Sequence, residues 1–261
     1  MLPITEMFIP VNRFSRKGTK IEKVKGIVMH YTADPGASAV AIAKYFANLR
    51  KQDPNDERSR FASATFEVDD VAIVAALPYK PGVVEMAYHV GSKTYTPEAL
   101  KKFGSYPNNC TVGIEMCLDE HGNITEKTFQ NAADLAAYLC KLYGLDEGDI
   151  TTHKAVVGWK DCPLPWIKKP SELVRFKAEV HKRLHPAPVA KPVTHSVLRK
   201  GDTGAEVKLM QTLLEKKGFE LGTPDGSFGP HTEAALKGFQ KKLGLAADGI
   251  CGLYTWRKLL G

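Results

Sequence analysis

The sequence predicts an α/β fold followed by a smaller helical domain, and three observations carry that expectation. Over residues 1–184, short apolar runs of β-forming residues alternate with amphipathic helical stretches. A proline-rich segment at 185–195 interrupts the pattern, and through residues 196–261 apolar residues recur at helical spacing. With 261 residues, 43% of them apolar and 25% charged, the chain is long enough to bury two modest cores.

Lys25-Gly26-Ile27-Val28-Met29-His30 reads as a buried strand that ends at His30 and runs into the turn-prone Thr32-Ala33-Asp34-Pro35-Gly36. From Ser38 to Leu49 the spacing of Val40, Ile42, Tyr45, Phe46 and Leu49 predicts a helix, followed by an exposed polar loop from Lys51 to Arg60. Phe61 to Leu77 carries two β-rich segments about Asp69-Asp70, the pattern of a hairpin. Ala87-Tyr88-His89-Val90-Gly91 closes another short element, and Thr94 to Asn109 reads as a long polar loop flanking a cleft. In the next strand Val112, Ile114 and Met116 share one face while Glu115 points the other way. Phe129, Ala132, Ala136, Leu139 and Tyr143 mark an amphipathic helix with Gly144 placed to terminate it. Ser171 is placed to N-cap a further helix whose Leu173, Phe176, Val180 and Leu184 face inward.

His185 to Val193 holds Pro186, Pro188 and Pro192, a composition that favours an extended spacer over packed structure. Beyond it Asp225-Gly226-Ser227-Phe228-Gly229-Pro230-His231-Thr232 recurs as Asp248-Gly249-Ile250-Cys251-Gly252-Leu253-Tyr254-Thr255, 23 residues later. Each copy reads as a glycine turn entering a helix.

The net charge of +7 favours anionic partners, but no region forms a concentrated basic patch, which argues against nucleic acid. No stretch approaches a transmembrane span, so membrane insertion is not expected. Residues Met1 to Pro10 lack the basic and apolar regions of a signal peptide, and the five cysteines are scattered rather than paired. Synthesis in a reducing cytoplasm, as a monomer, is the expectation.

Chemistry concentrates first at Thr152 to Pro163, where His153, Lys160 and Cys162 fall within ten residues. A neutral imidazole and a thiolate are both zinc ligands, and a catalytic zinc takes three protein ligands with one position left open. His30, held at the end of a buried strand, is a natural third ligand; the alternative is a core histidine that only hydrogen-bonds. Asp161 is an alternative to Cys162 as the ligand, and Glu115 is either a base or one half of an ion pair. Cys110, Cys117, Cys140 and Cys251 read as small buried apolar residues.

Four motifs in order, Ile27-Val28-Met29-His30-Tyr31-Thr32-Ala33, Ala87-Tyr88-His89-Val90-Gly91, Val112-Gly113-Ile114-Glu115 and Thr152-His153 through Lys160-Asp161-Cys162-Pro163, resemble the zinc-dependent N-acetylmuramoyl-L-alanine amidases of the T7 lysozyme and peptidoglycan-recognition-protein superfamily. The resemblance covers about residues 20–184. It implies a mixed β-sheet with helices on both faces, Zn2+ on His30, His153 and Cys162, and catalytic roles for Glu115 and Lys160. Zinc in such a site polarises the scissile carbonyl and lowers the pKa of bound water to about 7; Glu115 would shuttle the proton and Lys160 would stabilise the oxyanion. His89 is expected as a substrate contact rather than a fourth ligand, and Tyr31 as a further substrate contact or a packing residue. Two departures stand out: Phe61-Ala62-Ser63-Ala64-Thr65-Phe66 lacks the tyrosine or histidine that relatives often carry there, and Pro163 is followed by Leu164-Pro165 instead of glycine.

Residues 196–261 resemble the peptidoglycan-binding type 1 domain through Leu198 to Val207, Met210-Gln211, Gly218-Phe219, the two Asp-Gly repeats and Phe239-Gln240. That resemblance implies a three-helix bundle with Val207, Met210, Leu214, Ala235, Leu236, Phe239, Leu243, Trp256, Leu259 and Leu260 on its apolar faces. Together the two resemblances imply a wall hydrolase that cuts between N-acetylmuramic acid and L-alanine, with bacterial peptidoglycan as partner. An endolysin released by a holin is the expected setting, with a host autolysin or a non-catalytic wall receptor as alternatives. A stem-peptide zinc peptidase is the further rival, although no His-Glu-x-x-His occurs.

Overall fold

The computed structural model describes residues 1–186 and 195–261. The chain divides into two compact units, Met1–Ala187 and Pro188–Gly261. Most of the proline-rich spacer expected at 185–195 lies outside the described residues.

The first unit is built on a six-stranded sheet of β1 (Ile4–Glu6), β2 (Gly26–Pro35), β3 (Phe66–Val68), β4 (Ile73–Ala75), β5 (Thr111–Leu118) and β6 (Ile150–Thr152), in the order β1-β4-β3-β5-β2-β6. Among the described residues β3 and β4 form the one antiparallel pair, a hairpin whose turn is held by Asp69 Oδ1 accepting from the Val71 and Ala72 amides. The sheet is therefore mixed, as expected. Its edges, β1 and β6, are three-residue strands too short to leave a periodic signal.

One face of the sheet carries Ile27, Met29, Phe66, Val112, Ile114 and Met116, all fully buried. The helices are α1 (Ala39–Asn48), α2 (Pro97–Phe103), α3 (Glu126–Tyr143), α4 (His153–Val157), α5 (Leu164–Lys168) and α6 (Ser171–Leu184). That apolar face is covered by α3 and α6, whose Phe129, Leu135, Leu139, Phe176 and Val180 complete the core. Each such Phe or Leu contributes about 1.5–3 kcal/mol on leaving water. Gly144 ends α3 in the left-handed conformation at φ 68° and ψ 39°. On the opposite face α1 packs Ala39, Ile42, Ala43 and Phe46 against Val74 and Cys117, while α2 and α4 pack Ala99, Phe103, Val156 and Val157 around Val28.

Several expectations change. β2 does not stop at His30 but runs on to Pro35, because β5 extends to Leu118 and offers it partners beyond an irregularity between Tyr31 and Pro35. Residues 94–109 are not a plain loop: Thr96 accepts from the Ala99 amide and Pro97 starts α2. Ala87 to Gly91 forms no strand, although Ala87, His89 and Val90 are buried. Ser171 lies inside α6, where Pro170 takes the N-cap position without a side-chain bond.

The second unit packs α7 (Ala205–Lys216), α8 (Pro230–Lys242) and α9 (Leu253–Leu260) around Val207, Met210, Leu214, Phe228, Leu236, Phe239 and Trp256. Leu243 and Leu260, expected in the core, are 43% and 53% exposed. Leu243 is the residue just past the end of α8 and Leu260 the last residue of α9, so the apolar pattern runs to helix ends that the core does not cover. The repeat has a structural meaning that composition did not reveal. Gln211 accepts from the Gly226 amide at 2.7 Å and donates to Asp225, Ser227 and Thr232; Gln240 accepts from the Gly249 amide at 3.0 Å and donates to Asp248, Ile250 and Thr255. Each buried glutamine staples one turn to the next helix. Replacing Gln240 with Leu strands the Gly249 amide and should cost about 1–3 kcal/mol. Urea unfolding and amide exchange at Gly249 check this; unchanged protection there would show the staple to be dispensable.

Candidate metal centre and cleft

Register places the functional side chains in one row. His30 lies opposite Glu115 in the β2–β5 pair, and Glu115 lies opposite Glu67 in the β5–β3 pair. Partners across a sheet share a face, so the three point together toward the α1 side. Thr152 at the end of β6 caps α4 by accepting from the Ala155 amide, which sets His153 as the first helical residue beside His30. The loop after α4 returns through a bond from the Lys154 amide to the Cys162 carbonyl at 3.0 Å. That closure brings the thiol to the two imidazoles.

The ligand atoms of His30, His153 and Cys162 all lie within 4.8 Å of one another, and all three residues are buried. His30 Nδ1 is 3.0 Å from His153 Nδ1 and 3.7 Å from Cys162 Sγ. Tetrahedral zinc places two nitrogens about 3.3 Å apart and nitrogen and sulfur about 3.6 Å apart, so the three residues fit that ion. Burial holds both histidines neutral, lowering His30 well below its usual value and His153 to about 3, with the Lys160 charge adding to each effect. Neutral imidazole is the ligating form.

Glu115 and Lys160 border the same cleft, which also takes in Tyr31, Tyr45, Arg60 and Cys162 and encloses about 600 Å³. Burial pushes Glu115 up to about 8, against the opposing pull of Lys160. Its Oε2 is shielded from water and has no hydrogen-bond partner. Asp161 does not compete for the metal position: it is exposed and bonds Lys154 Nζ at 2.8 Å. Tyr31, half-buried, stands between this cleft and a second groove of about 560 Å³ lined by Trp166, Lys168, Lys169 and Arg175.

The sequence matches the N-acetylmuramoyl-L-alanine amidase family over residues 20–165 and a peptidoglycan binding domain over residues 203–259. It is 36% identical over 270 residues to N-acetylmuramoyl-L-alanine amidase CwlL of Bacillus licheniformis, covering 99% of this chain and 72% of that protein. The chain belongs to the N-acetylmuramoyl-L-alanine amidase family. Among solved structures, the catalytic domain of XlyA matches at a TM-score of 0.52 and 28% identity, over 69% of this chain and 99% of that one. A mutant endolysin from Bacillus subtilis matches at 0.53 and 30%, with the same coverage.

Within this amidase fold two residues stand differently from expectation. His89 does not face the cleft as a substrate contact: it is 7% exposed and lies behind His30, with His89 Nδ1 3.0 Å from His30 Nε2. Glu67 had no motif around it, yet it is fully buried beside Glu115 with both carboxylate oxygens unpartnered. Burial and then the Glu115 charge push its pKa well above the usual value, so it is held as the neutral acid. A glutamate between Phe66 and Val68 in a short strand was the available signal. Half-buried Glu147 with exposed His181 and His185 forms a second ligand-type group, already joined by a Glu147–His181 bond of 2.7 Å.

Two measurements follow from these shifts. Burial, and secondarily Glu115, pushes the Cys162 thiol up to about 12, so metal binding must displace its proton. Zinc affinity should rise about tenfold per pH unit through the neutral range, the slope of one released proton; calorimetry in buffers of different ionisation enthalpy would count it, and zero release would remove Cys162 as a ligand. For Glu67 the folded-state pKa lies above the unfolded value near 4.5. Its contribution to stability is therefore full below that pH and is lost as pH rises toward the folded-state value. Glu67→Gln should gain on the parent in urea midpoint as pH rises above the unfolded-state value; a pH-independent difference would contradict a neutral buried acid.

Proposed function

We propose that the chain hydrolyses the amide between the lactyl group of N-acetylmuramic acid and L-alanine, using Zn2+ held by His30, His153 and Cys162. The observation that carries this reading is the convergence of two neutral imidazoles and a thiol at the edge of a cleft that also holds Glu115 and Lys160. Zinc bound there supplies Lewis acidity toward the scissile carbonyl and toward water. Family membership and the relatives' names support the substrate assignment.

The chain's own groups supply the proton handling. Glu115 sits opposite His30 on the neighbouring strand, and burial raises it toward neutrality, where a carboxyl both takes and returns a proton. Lys160 is exposed at the cleft wall and opposes that rise, which keeps the carboxylate form within reach. The same ammonium is positioned to meet negative charge developing on the substrate oxygen. Tyr31 and Arg60 also line this cleft and would frame the substrate path.

The second unit brings the enzyme to its polymer, as its match to a peptidoglycan binding domain supports. The biological reading is a lytic enzyme of the endolysin type, or an autolysin of the same activity; one similar solved structure is that of an endolysin from Bacillus subtilis. Mass spectrometry of digested wall tests the bond: free stem peptides beginning with L-alanine are expected, whereas new internal peptide ends would indicate a peptidase and no release a binding receptor. Glu115→Gln should retain zinc and lose at least about 100-fold in turnover. Cys162→Ala should lose zinc and lysis together. Normal turnover in Glu115→Gln would exclude Glu115 as the proton carrier.

A further inference from the structure

We propose that His89 is a positioning residue that, with Thr111, locks His30 in the tautomer presenting Nδ1 to the metal centre. The direction of every hydrogen bond in the chain follows from its last member. Thr111 Oγ1 donates its one proton to the Pro107 carbonyl at 2.8 Å, because a carbonyl only accepts. Facing His89 Nε2 at 3.1 Å, the same hydroxyl oxygen can then only accept, so His89 carries its proton on Nε2. In a neutral ring His89 Nδ1 is left with a lone pair, which takes the proton of His30 Nε2 at 3.0 Å. His30 Nδ1 is thereby the bare nitrogen, and it is the one that faces His153 Nδ1 and Cys162 Sγ.

The surroundings are built to hold this chain. His89 is 7% exposed and Thr111 fully buried, so water does not compete for their polar atoms. Asn108 Oδ1 accepts from the backbone amides of His89 and Val90 at 3.3 and 3.0 Å, which pins the segment on which the ring hangs. Gly113 supplies the seat: a Cβ there would lie 2.8 Å from His89 Nδ1 and would push the ring off His30. His153 has no equivalent support, since its Nε2 is buried without a partner. Ligand orientation in the centre therefore depends on His30.

Partners behind a ligating histidine fix its tautomer and ring angle, and their loss typically weakens metal binding by about 10–100-fold. Here the partner is a second neutral histidine whose own tautomer is set by a hydroxyl and a carbonyl. The role of His89 rests on the reading of His30 as a zinc ligand, and the two are separable by experiment.

The test uses the full chain. In the zinc-free protein, two-dimensional ¹H–¹⁵N spectra of the imidazoles should show His30 with a protonated Nε2 and a bare Nδ1, and His89 with a protonated Nε2. Thr111→Val keeps the shape of the site but removes the acceptor, and should give mixed tautomers at both histidines. Chelator competition should show zinc weakened about 10–100-fold in His89→Leu and by a smaller factor in Thr111→Val. His89→Gln, whose amide can both accept from His30 and donate to Thr111, should recover most of the affinity. A protonated Nδ1 on His30 in the parent would overturn the assignment, as would parental tautomers and zinc affinity in Thr111→Val. His30→Ala separates the readings: zinc binding that survives it removes the metal assignment itself. Loss of zinc there with parental affinity in His89→Leu and Thr111→Val removes only the positioning role.

Discussion

The structure depends on the register of three neighbouring strands. Pairing of β5 with β2 sets Glu115 opposite His30, and pairing of β5 with β3 sets Glu67 opposite Glu115. A slip of one residue in either pair would turn the affected side chain through the sheet into the apolar layer under α3. That layer resists the slip, because Val112, Ile114 and Met116 already fill it with no exposure to water. The core on one face thus enforces the chemistry on the other.

A row of ionisable groups on a buried sheet is expensive unless the groups shed charge or find partners. This row sheds charge. His30, His89 and His153 are neutral through burial, and Glu67 is a neutral acid. Lys160 keeps its place at the exposed wall, where its charge acts on Glu115, His153 and Cys162 without desolvation of its own ammonium. Such an arrangement has free lone pairs where a cation is wanted and few competing counter-charges. The unpartnered oxygens of Glu67 and Glu115 are the residual cost, and they lie together where proton handling is expected.

The second unit solves a smaller problem by repetition. Its core draws eight buried apolar residues from α7, α8 and α9 and three, Leu198, Phe228 and Cys251, from the connecting segments, and one buried glutamine ties each Asp-Gly turn to the helix that follows. Among its described residues the buried side-chain polar atoms all find hydrogen-bond partners, which serves stability. In the first unit, polar groups are left partly unpaired where the cleft opens. The contrast separates a binding module, whose polar network only has to hold shape, from a site whose polar groups must change partners.

Much was legible in the sequence alone. The strands at Ile27–His30 and Val112–Met116, the helices at 38–49 and 129–143 and the apolar spacing of the second unit are local periodicities, and local periodicity is what a chain writes directly into its sequence. His153, Lys160 and Cys162 are close in sequence, so their grouping was visible too. The length of β2 beyond His30, the helix at Pro97–Phe103 begun by its Thr96 cap, and the three-residue edge strands were not, because partners elsewhere or a cap decide them. Glu67 looked like any strand glutamate until β3 paired with β5, and His89 looked like a cleft residue until Thr111 and Gly113 showed it facing inward. Sequence determined which residues could do this chemistry; only the tertiary structure decided which nitrogen of His30 faces the centre and which carboxyl borders the cleft. Those choices rest on hydrogen-bond direction and burial, which arise only when segments more than fifty residues apart come into contact.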